Sequence, residues 1–148
     1  MNTEDIIARV STRIDAPKEK VWEALVTPKI IKQYFFGTDV NSDFKVGSKI
    51  TWKGEWEGKS YEDIGVIREA KQNRMLQFSH LSPSSGEKDV PENYRIVTID
   101  LEEDSNRKTK VTLTQDNNPT EAAREHSEKN WQGMLDGLKK LLEEKKQF

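Results

Sequence analysis

The sequence predicts an α+β domain in which an antiparallel β-sheet of about six to seven strands packs against a long C-terminal α-helix. Three observations support this class. Apolar and polar residues alternate over residues 49–56 and over several other short segments, which is the period of a half-buried strand. Residues 120–144 instead repeat apolar residues at helical spacing. The length of 148 residues matches one domain, so we expect residues 1–148 to form a single unit.

The N-terminal quarter of the chain predicts one strand followed by two short helices. Alternation over residues 6–14 indicates the strand. Pro17 and Pro28 then mark helix starts, because proline suits a first helical turn, where its missing N–H would be unpaired anyway. Helices are therefore expected over about residues 18–26 and 29–34.

The middle of the chain predicts a meander of antiparallel strands. After the strand that begins at Lys49, further strands are expected over residues 60–69, 75–80, 94–101 and 108–115. Apolar residues of the last two strands are in phase, which favours their pairing: Val97, Ile99 and Leu101 against Val111 and Leu113. Residues 81–91 are rich in Pro, Ser and Gly and predict a long exposed loop.

The C-terminal helix is predicted to begin after Thr120, which suits an N-cap, and to continue to about Glu144. Its apolar stripe consists of Trp131, Met134, Leu135, Leu138, Leu141 and Leu142. At about 1.5 Å per residue, a helix of this length measures roughly 38 Å, which is enough to cross an antiparallel sheet. The stripe therefore needs a sheet face to cover.

Composition and charge argue against several functional classes. The formal net charge of −2 offers no basic field for phosphates, so nucleic acid is not expected as a partner. With no Cys and two His, the chain has no thiolate chemistry and too few histidines for a histidine-built metal site. No nucleophile motif or phosphate-binding loop occurs, which favours a protein that is not an enzyme and needs no cofactor. Without a signal segment or an 18-residue apolar run, we expect a cytoplasmic protein with no membrane span.

Short stretches along nearly the whole chain resemble one group of proteins in their order and spacing. They are Ile14-Asp15-Ala16-Pro17, Val21-Trp22, Ala24-Leu25, Thr27-Pro28, Ile31, Phe35, Gly47, Gly65-Val66-Ile67, Met75-Leu76, Phe78, Trp131, Leu135, Leu138-Lys139 and Leu142-Glu143. Together they resemble the helix-grip fold of the START-like (SRPBCC) superfamily, and in particular its branch named for activators of the 90-kDa heat-shock chaperone ATPase. The resemblance implies a bent sheet wrapped around the long helix.

The resemblance also implies a cavity between sheet and long helix, which the superfamily uses to hold lipids, sterols, polyketides or plant metabolites. We therefore expect a binding module for a small hydrophobic or aromatic molecule. Two alternatives follow from the same relatives. One is a co-chaperone-like protein-interaction module, because eukaryotic members of the branch bind the chaperone. The other is an enzyme similar to polyketide cyclases or hydrolases.

Aromatic residues on the predicted strands and the long helix are the candidates for ligand contact. Trp52 and Trp56 share one strand face with Gly54 between them, which leaves space that a flat apolar ligand could occupy. The alternative is that both indoles pack on the helix as core residues. The other candidates for the cavity wall are Phe78, Trp131 and Met134.

The candidate polar residues are His80 and Asp63. His80 is in phase with Phe78 and would orient a ligand hydroxyl or carbonyl if that face is inward, but a strand end is also where side chains reach solvent. Asp63 alternates with Tyr61, whereas the other register leaves it as a solvated carboxylate, and the choice stays open. If the chain is an enzyme, His80 and Asp63 are the predicted acid–base pair.

Tyr34 and Phe35 are candidates for the mouth of the cavity. Together with Phe36 they precede Gly37 at the end of a short helix, where aromatic residues beside a hinge could act as a gate. The alternative is that they anchor the helix to the sheet. His126, near the start of the long helix, is expected at the rim or exposed.

Overall fold

The described residues form a seven-stranded antiparallel sheet, two short helices and one long helix. This computed structural model describes residues 6–83 and 86–145; residues 1–5, 84–85 and 146–148 lie outside it, as do the side chains of Trp56 and Lys145. The strands are β1 (Ile6–Ile14), β2 (Asp39–Asn41), β3 (Lys49–Trp56), β4 (Lys59–Lys71), β5 (Met75–His80), β6 (Arg95–Glu103) and β7 (Thr109–Asn118). The helices are α1 (Lys18–Leu25), α2 (Pro28–Tyr34) and α3 (Glu121–Lys145).

The strands lie in the order β1-β7-β6-β5-β4-β3-β2, so the first strand of the chain is hydrogen-bonded to the last. All neighbouring strands are antiparallel. The sheet does not close into a barrel, and α3 packs along β1 and β7. This is the predicted α+β helix-grip architecture. No helix in the described ranges combines the length and the apolar character that crossing a membrane requires.

Most predicted elements are confirmed, and their pairing follows the apolar pattern. In the β6–β7 pair, Ile99 lies opposite Leu113 as the phase of the two strands predicts. The side chain of Thr120 accepts the backbone N–H of Ala123 at 3.0 Å, which confirms the N-cap of α3. The sequence interpretation missed β2, because a strand of three residues is too short to show an alternation.

The prediction of an exposed loop over residues 81–91 is wrong at its first residue, whereas Pro91 at the other end is exposed. Leu81 is fully buried and forms an isolated bridge with Ile64 of β4. Pro91 begins a short 3-10 turn that continues to Asn93. A composition rich in turn residues indicates where the chain leaves the sheet, but it does not indicate that the flanking Leu81 still pairs with a strand. Ser84 and Ser85, in the middle of the predicted loop, lie outside the described residues.

The core lies between the inward face of the sheet and one face of α3. The most completely buried side chains include Ile14, Ile50, Ile67, Leu113, Leu135, Leu138, Val97 and Val111. Each fully buried aliphatic side chain of this size contributes about 1.5–3 kcal/mol relative to exposure. The apolar stripe of α3 therefore covers the apolar face of the sheet, which is the face that the alternation in the strands predicts to be buried.

The register of β4 resolves the position of Asp63. Gly65 and Ile67 are buried, and Asp63 belongs to the same alternate set. Glu62 and Val66, on the other set, are exposed. The side chain of Asp63 therefore belongs to the inward face, and the reading of this residue as a solvated carboxylate is wrong.

Side chains of α3 satisfy the free edge of β1. Glu128 accepts the backbone N–H of Arg9 at 3.0 Å, and Glu143 accepts that of Asp15 at 2.9 Å. The ammonium of Lys139 donates to the carbonyl of Arg13 at 2.6 Å. An unpaired strand edge is a template for association with other chains, and these bonds occupy part of that edge as well as holding the helix against it.

A substitution at Glu143 tests this contact between the helix and the sheet edge. The ammonium of Lys139, together with the Asp15 N–H, holds the pKa of the Glu143 carboxyl below its usual value. We expect Glu143→Gln to lower the free energy of unfolding by about 0.5–1 kcal/mol at neutral pH, because a charge-assisted hydrogen bond is weakened. Urea unfolding measures the difference. The exposed neighbour Glu144→Gln is the control and should change stability by less than about 0.5 kcal/mol.

The effect should depend on pH in one direction. Because the pKa of Glu143 is lower in the folded state, the unfolded chain binds more protons and the carboxylate stabilises the fold above the unfolded value of about 4.5. That contribution is lost as the pH falls through the lowered folded-state value, so the wild type and Glu143→Gln should converge in acid. Equal stabilities of the two proteins at neutral pH would contradict the role of this contact.

Candidate functional site

A small apolar cavity lies between α2, the sheet and α3. Its volume is about 30 Å³, which is room for a water molecule or two, whereas pockets for drug-sized ligands measure roughly 300–1,000 Å³. Its lining is Leu25, Ile31, Tyr34, Phe35, Val40, Phe44, Ile50, Trp52, Leu76, Phe78, Ile99, Trp131 and Met134. The lining of the cavity is therefore suited to an apolar group, but its volume is too small for a drug-sized ligand.

The sheet side of the cavity carries a cluster of three rings. Trp52 on β3 lies 5.2 Å from Phe78 on β5, measured between ring centroids. The imidazole of His80 stands edge-on to the same indole at 5.0 Å. Trp52 is thus held between an apolar ring and a titratable one, and it forms the boundary between the cavity and a polar region.

The opposite wall carries a second aromatic cluster. Phe35, directly after α2, lies 5.7 Å from Trp131 of α3 and 5.6 Å from Phe36. The indole N–H of Trp131 donates to the side-chain oxygen of Gln115 at 2.6 Å, and the amide of Gln115 bonds Asn118 at 3.3 Å. Trp131 is therefore fixed by a buried polar network, whereas Phe36 is 60% exposed.

Two glycines on α3 allow α2 to approach closely. A Cβ at Gly137 would lie 2.8 Å from the backbone oxygen of Tyr34, which is too close for any side chain. A Cβ at Gly133 would lie 3.4 Å from the ring tip of Phe36, which is a tight but yielding contact. The end of α2 therefore rests on a flat strip of α3, one helical turn long, directly beside the cavity.

Tyr34 is a packing residue of this interface. Its hydroxyl donates to the carbonyl of Ala24 at 2.8 Å, and burial raises the pKa of its phenol because the charged form would be desolvated. After Phe35, the residues Phe36 and Gly37 have φ of 54° and 72°. A non-glycine residue in this left-handed region is uncommon and costs conformational energy, so the turn after α2 holds strain at Phe36.

His80 and Asp63 form a dyad on the inward face of the sheet. Nε2 of His80 lies 3.0 Å from Oδ2 of Asp63, and about a fifth of each side chain is exposed. Of the two positions predicted for His80, inward or in solvent, the strand register supports the inward one, since the ring contacts Trp52. Among the described residues, no three His, Asp, Glu or Cys side chains form a group that could hold a metal ion.

Six of the eight predicted cavity residues line the cavity: Tyr34, Phe35, Trp52, Phe78, Trp131 and Met134. His80 does not line the cavity but contacts the ring of Trp52, which does. The side chain of Trp56 lies outside the described part of the chain. The space expected beside Gly54 is filled, because the hydroxyl of Tyr61 would lie 2.6 Å from a Cβ there. His126 is exposed, as expected.

The sequence interpretation missed the aliphatic part of the lining. Leu25, Val40 and Ile99 belong to three different elements that meet only in the folded chain. Aliphatic residues signal burial and not which void they surround. Phe44 could have been suspected, because it is a large aromatic residue in a segment with no helix or strand period.

The fold and the cavity define the class of protein, and comparison with known families names the family. Residues 15–143 match the family model described as activator of Hsp90 ATPase homolog 1-like protein. The chain belongs to this family, which is a branch of the START-like (SRPBCC) superfamily. No curated protein matches the chain in sequence.

Solved structures agree with this family. ChR145 from Cytophaga hutchinsonii is 55% identical, with 100% of both chains covered and a TM-score of 0.85. The Aha1 dimer from Colwellia psychrerythraea is 22% identical over 90% of this chain and 93% of that one, with a TM-score of 0.69. CalU16 from Micromonospora echinospora is 21% identical over 93% and 84%, with a TM-score of 0.66. At such low identity the last two are similar in fold alone.

The contact between α2 and α3 can be tested with two alanine substitutions on the same helix. Gly137→Ala should lower the free energy of unfolding by about 1–3 kcal/mol, because its Cβ meets the backbone of Tyr34. Gly133→Ala should be neutral or stabilising by up to about 1 kcal/mol, since the exposed ring of Phe36 can yield and alanine favours a helix. Denaturant unfolding measures both variants. An equal gain in stability would show that α2 is not packed as described.

Proposed function

We propose that the chain is a binding module that holds a small hydrophobic or aromatic molecule between the sheet and α3. The observation that carries the proposal is the pair of aromatic walls facing one apolar cavity, with Trp52 and Phe78 on the sheet and Phe35 and Trp131 on the other side. Aromatic side chains offer large apolar contact area with a defined geometry, which is what a site for a flat ligand requires.

Ligand entry must enlarge the cavity, and α2 is the wall best able to move. It has seven residues, and its end rests on glycines of α3 instead of interlocking side chains. The turn after it is strained at Phe36, whose ring is already exposed. The sheet wall and Trp131 are fixed by strand pairing and a hydrogen bond, so we expect α2 and Phe35 to move when a ligand enters, although the bond from Tyr34 to Ala24 opposes that movement.

Family membership supports the same proposal in a general way. The START-like superfamily places its ligands between the sheet and the long helix, and this chain has its apolar cavity in that position. Fold alone does not define a ligand. The proposal therefore rests on the two aromatic walls, and the family supplies the location.

An aromatic probe and a cavity-filling variant test the proposal. We expect 2-methoxynaphthalene to bind the wild type and to shift the amide NMR signals of α2 and of the strands around Trp52. Leu76→Phe enlarges a side chain that lines the cavity and should weaken binding at least tenfold. Val66→Phe makes a similar enlargement on the opposite, exposed face of the sheet and should leave the affinity unchanged.

Two results would overturn the proposal of cavity binding. One is that Leu76→Phe, shown by its amide spectrum to be folded, binds the probe as well as the wild type does. The other is that the shifted signals lie on the outer face of the sheet, around Val66 and Glu62.

A second candidate function is a co-chaperone-like interaction, favoured by the family match to activators of the Hsp90 ATPase. It predicts that adding the chain to the 90-kDa chaperone of the same organism raises the rate of ATP hydrolysis several-fold. The measurement is a coupled ATPase assay, with Glu144→Gln as a folded control that should act like the wild type. An unchanged rate at saturating concentrations of the chain would exclude this function.

A further inference from the structure

We propose that the His80–Asp63 dyad is the polar end of the ligand site and that it selects molecules with a hydrogen-bond donor, a hydroxyl or an amine N–H. This inference rests on the proposed binding function and gives the ligand its chemical class: an aromatic or apolar body that carries a donating head group. The dyad is separate from the cavity lining but contacts it through the ring of Trp52.

The position of the dyad follows from strand register. Asp63 lies directly opposite Trp52 in the β3–β4 pair, so the two side chains are neighbours on the same face of the sheet. His80 is the last residue of β5, and its ring contacts the same indole. Trp52 is therefore the residue that links the cavity lining to the dyad.

Hydrogen-bonding capacity in the dyad is left unused. With Asp63 ionised, Nε2–H of His80 donates to Oδ2 of the carboxylate. The other oxygen, Oδ1, is buried and has no hydrogen-bond partner among the described residues. Buried carboxylate oxygens are almost always satisfied, so an acceptor without a donor calls for a specific explanation. A donor supplied by a ligand would be one.

Neighbouring charges do not supply the missing donor. Arg95 lies opposite His80 in the β5–β6 pair, but its guanidinium bonds Glu87 and the carbonyl of Asn93. The nearby hydroxyl of Tyr61 bonds Thr38 at 2.9 Å. His80 is the partner that the described residues offer to Asp63.

The open atom of the dyad is an acceptor. With Asp63 ionised, Oδ1 carries lone pairs and no proton. Such an atom recognises a donor and rejects a second acceptor, because opposed lone pairs cannot bond. About a fifth of each side chain is in contact with solvent, whereas Oδ1 itself is buried, so a ligand donor reaches it only when the packing around Trp52 opens.

Two probes of nearly equal shape test the proposal. 2-Naphthol has a hydroxyl donor, and 2-methoxynaphthalene has the same ring system with the donor methylated. We expect the wild type to bind 2-naphthol at least tenfold more tightly, which is the size expected of one hydrogen bond to a charged group. Dissociation constants come from amide NMR titrations of the whole chain.

Substitutions at Asp63 and at its neighbour Glu62 test whether the preference for 2-naphthol depends on the dyad. Asp63→Leu removes both carboxylate oxygens at similar size and should abolish the tenfold preference while keeping the affinity for 2-methoxynaphthalene. Asp63→Asn keeps the shape and removes the charge, and it should reduce the preference to about threefold or less. Glu62→Gln, exposed on the other face of the same strand, is the matched control and should keep the full preference.

The outcomes separate this proposal from the function on which it rests. Equal binding of the two probes by the wild type overturns the donor selection and leaves the binding module intact. If the tenfold preference persists undiminished in Asp63→Leu, or in Asp63→Asn when the leucine variant does not fold, the role of the dyad is overturned. If neither probe binds the wild type, the binding function fails for this class of ligand and the inference fails with it.

Discussion

The packing of α3 against one face of the sheet is the interaction on which the rest of the structure depends. Leu135 and Leu138 are completely buried against the sheet, and the indole N–H of Trp131 is fixed by Gln115 of β7. Polar side chains of the same helix bond the free edge of β1. Apolar burial supplies most of the free energy, and the directional bonds set the position of the helix along the sheet. The cavity is what this arrangement leaves between helix and sheet.

The two sides of the cavity differ in how firmly they are held. The sheet side is part of a continuous hydrogen-bonded ladder, and Trp52 is packed between Phe78 and His80. The α2 side rests on the glycine strip of α3 and ends in a strained turn at Phe36. Regions with fewer interlocking contacts open at lower free energy than a paired strand does. We therefore expect the small cavity to widen on its α2 side when a molecule enters.

Polar groups on the inward face fall into two kinds. Gln115, Asn118 and Trp131 satisfy one another and belong to the framework. Asp63 and His80 satisfy each other only in part, since one carboxylate oxygen of Asp63 has no hydrogen-bond partner among the described residues. A satisfied network stabilises one arrangement, whereas an incomplete one keeps capacity for another molecule. The dyad therefore stands apart from the framework although both face the same core.

The elements and the face that each one buries can be predicted from the amino-acid sequence alone. Alternation in the strands and the stripe on α3 are local, periodic signals, so the class, the order of elements and the in-phase pairing of β6 with β7 could be predicted from them. Tertiary structure decided what has no local signal: the three-residue β2, the inward register of Asp63, and the contact of the predicted His80–Asp63 pair with Trp52. It also decided the size of the cavity, because a void depends on how closely α2 approaches α3, and that is set by contacts between residues far apart in the chain.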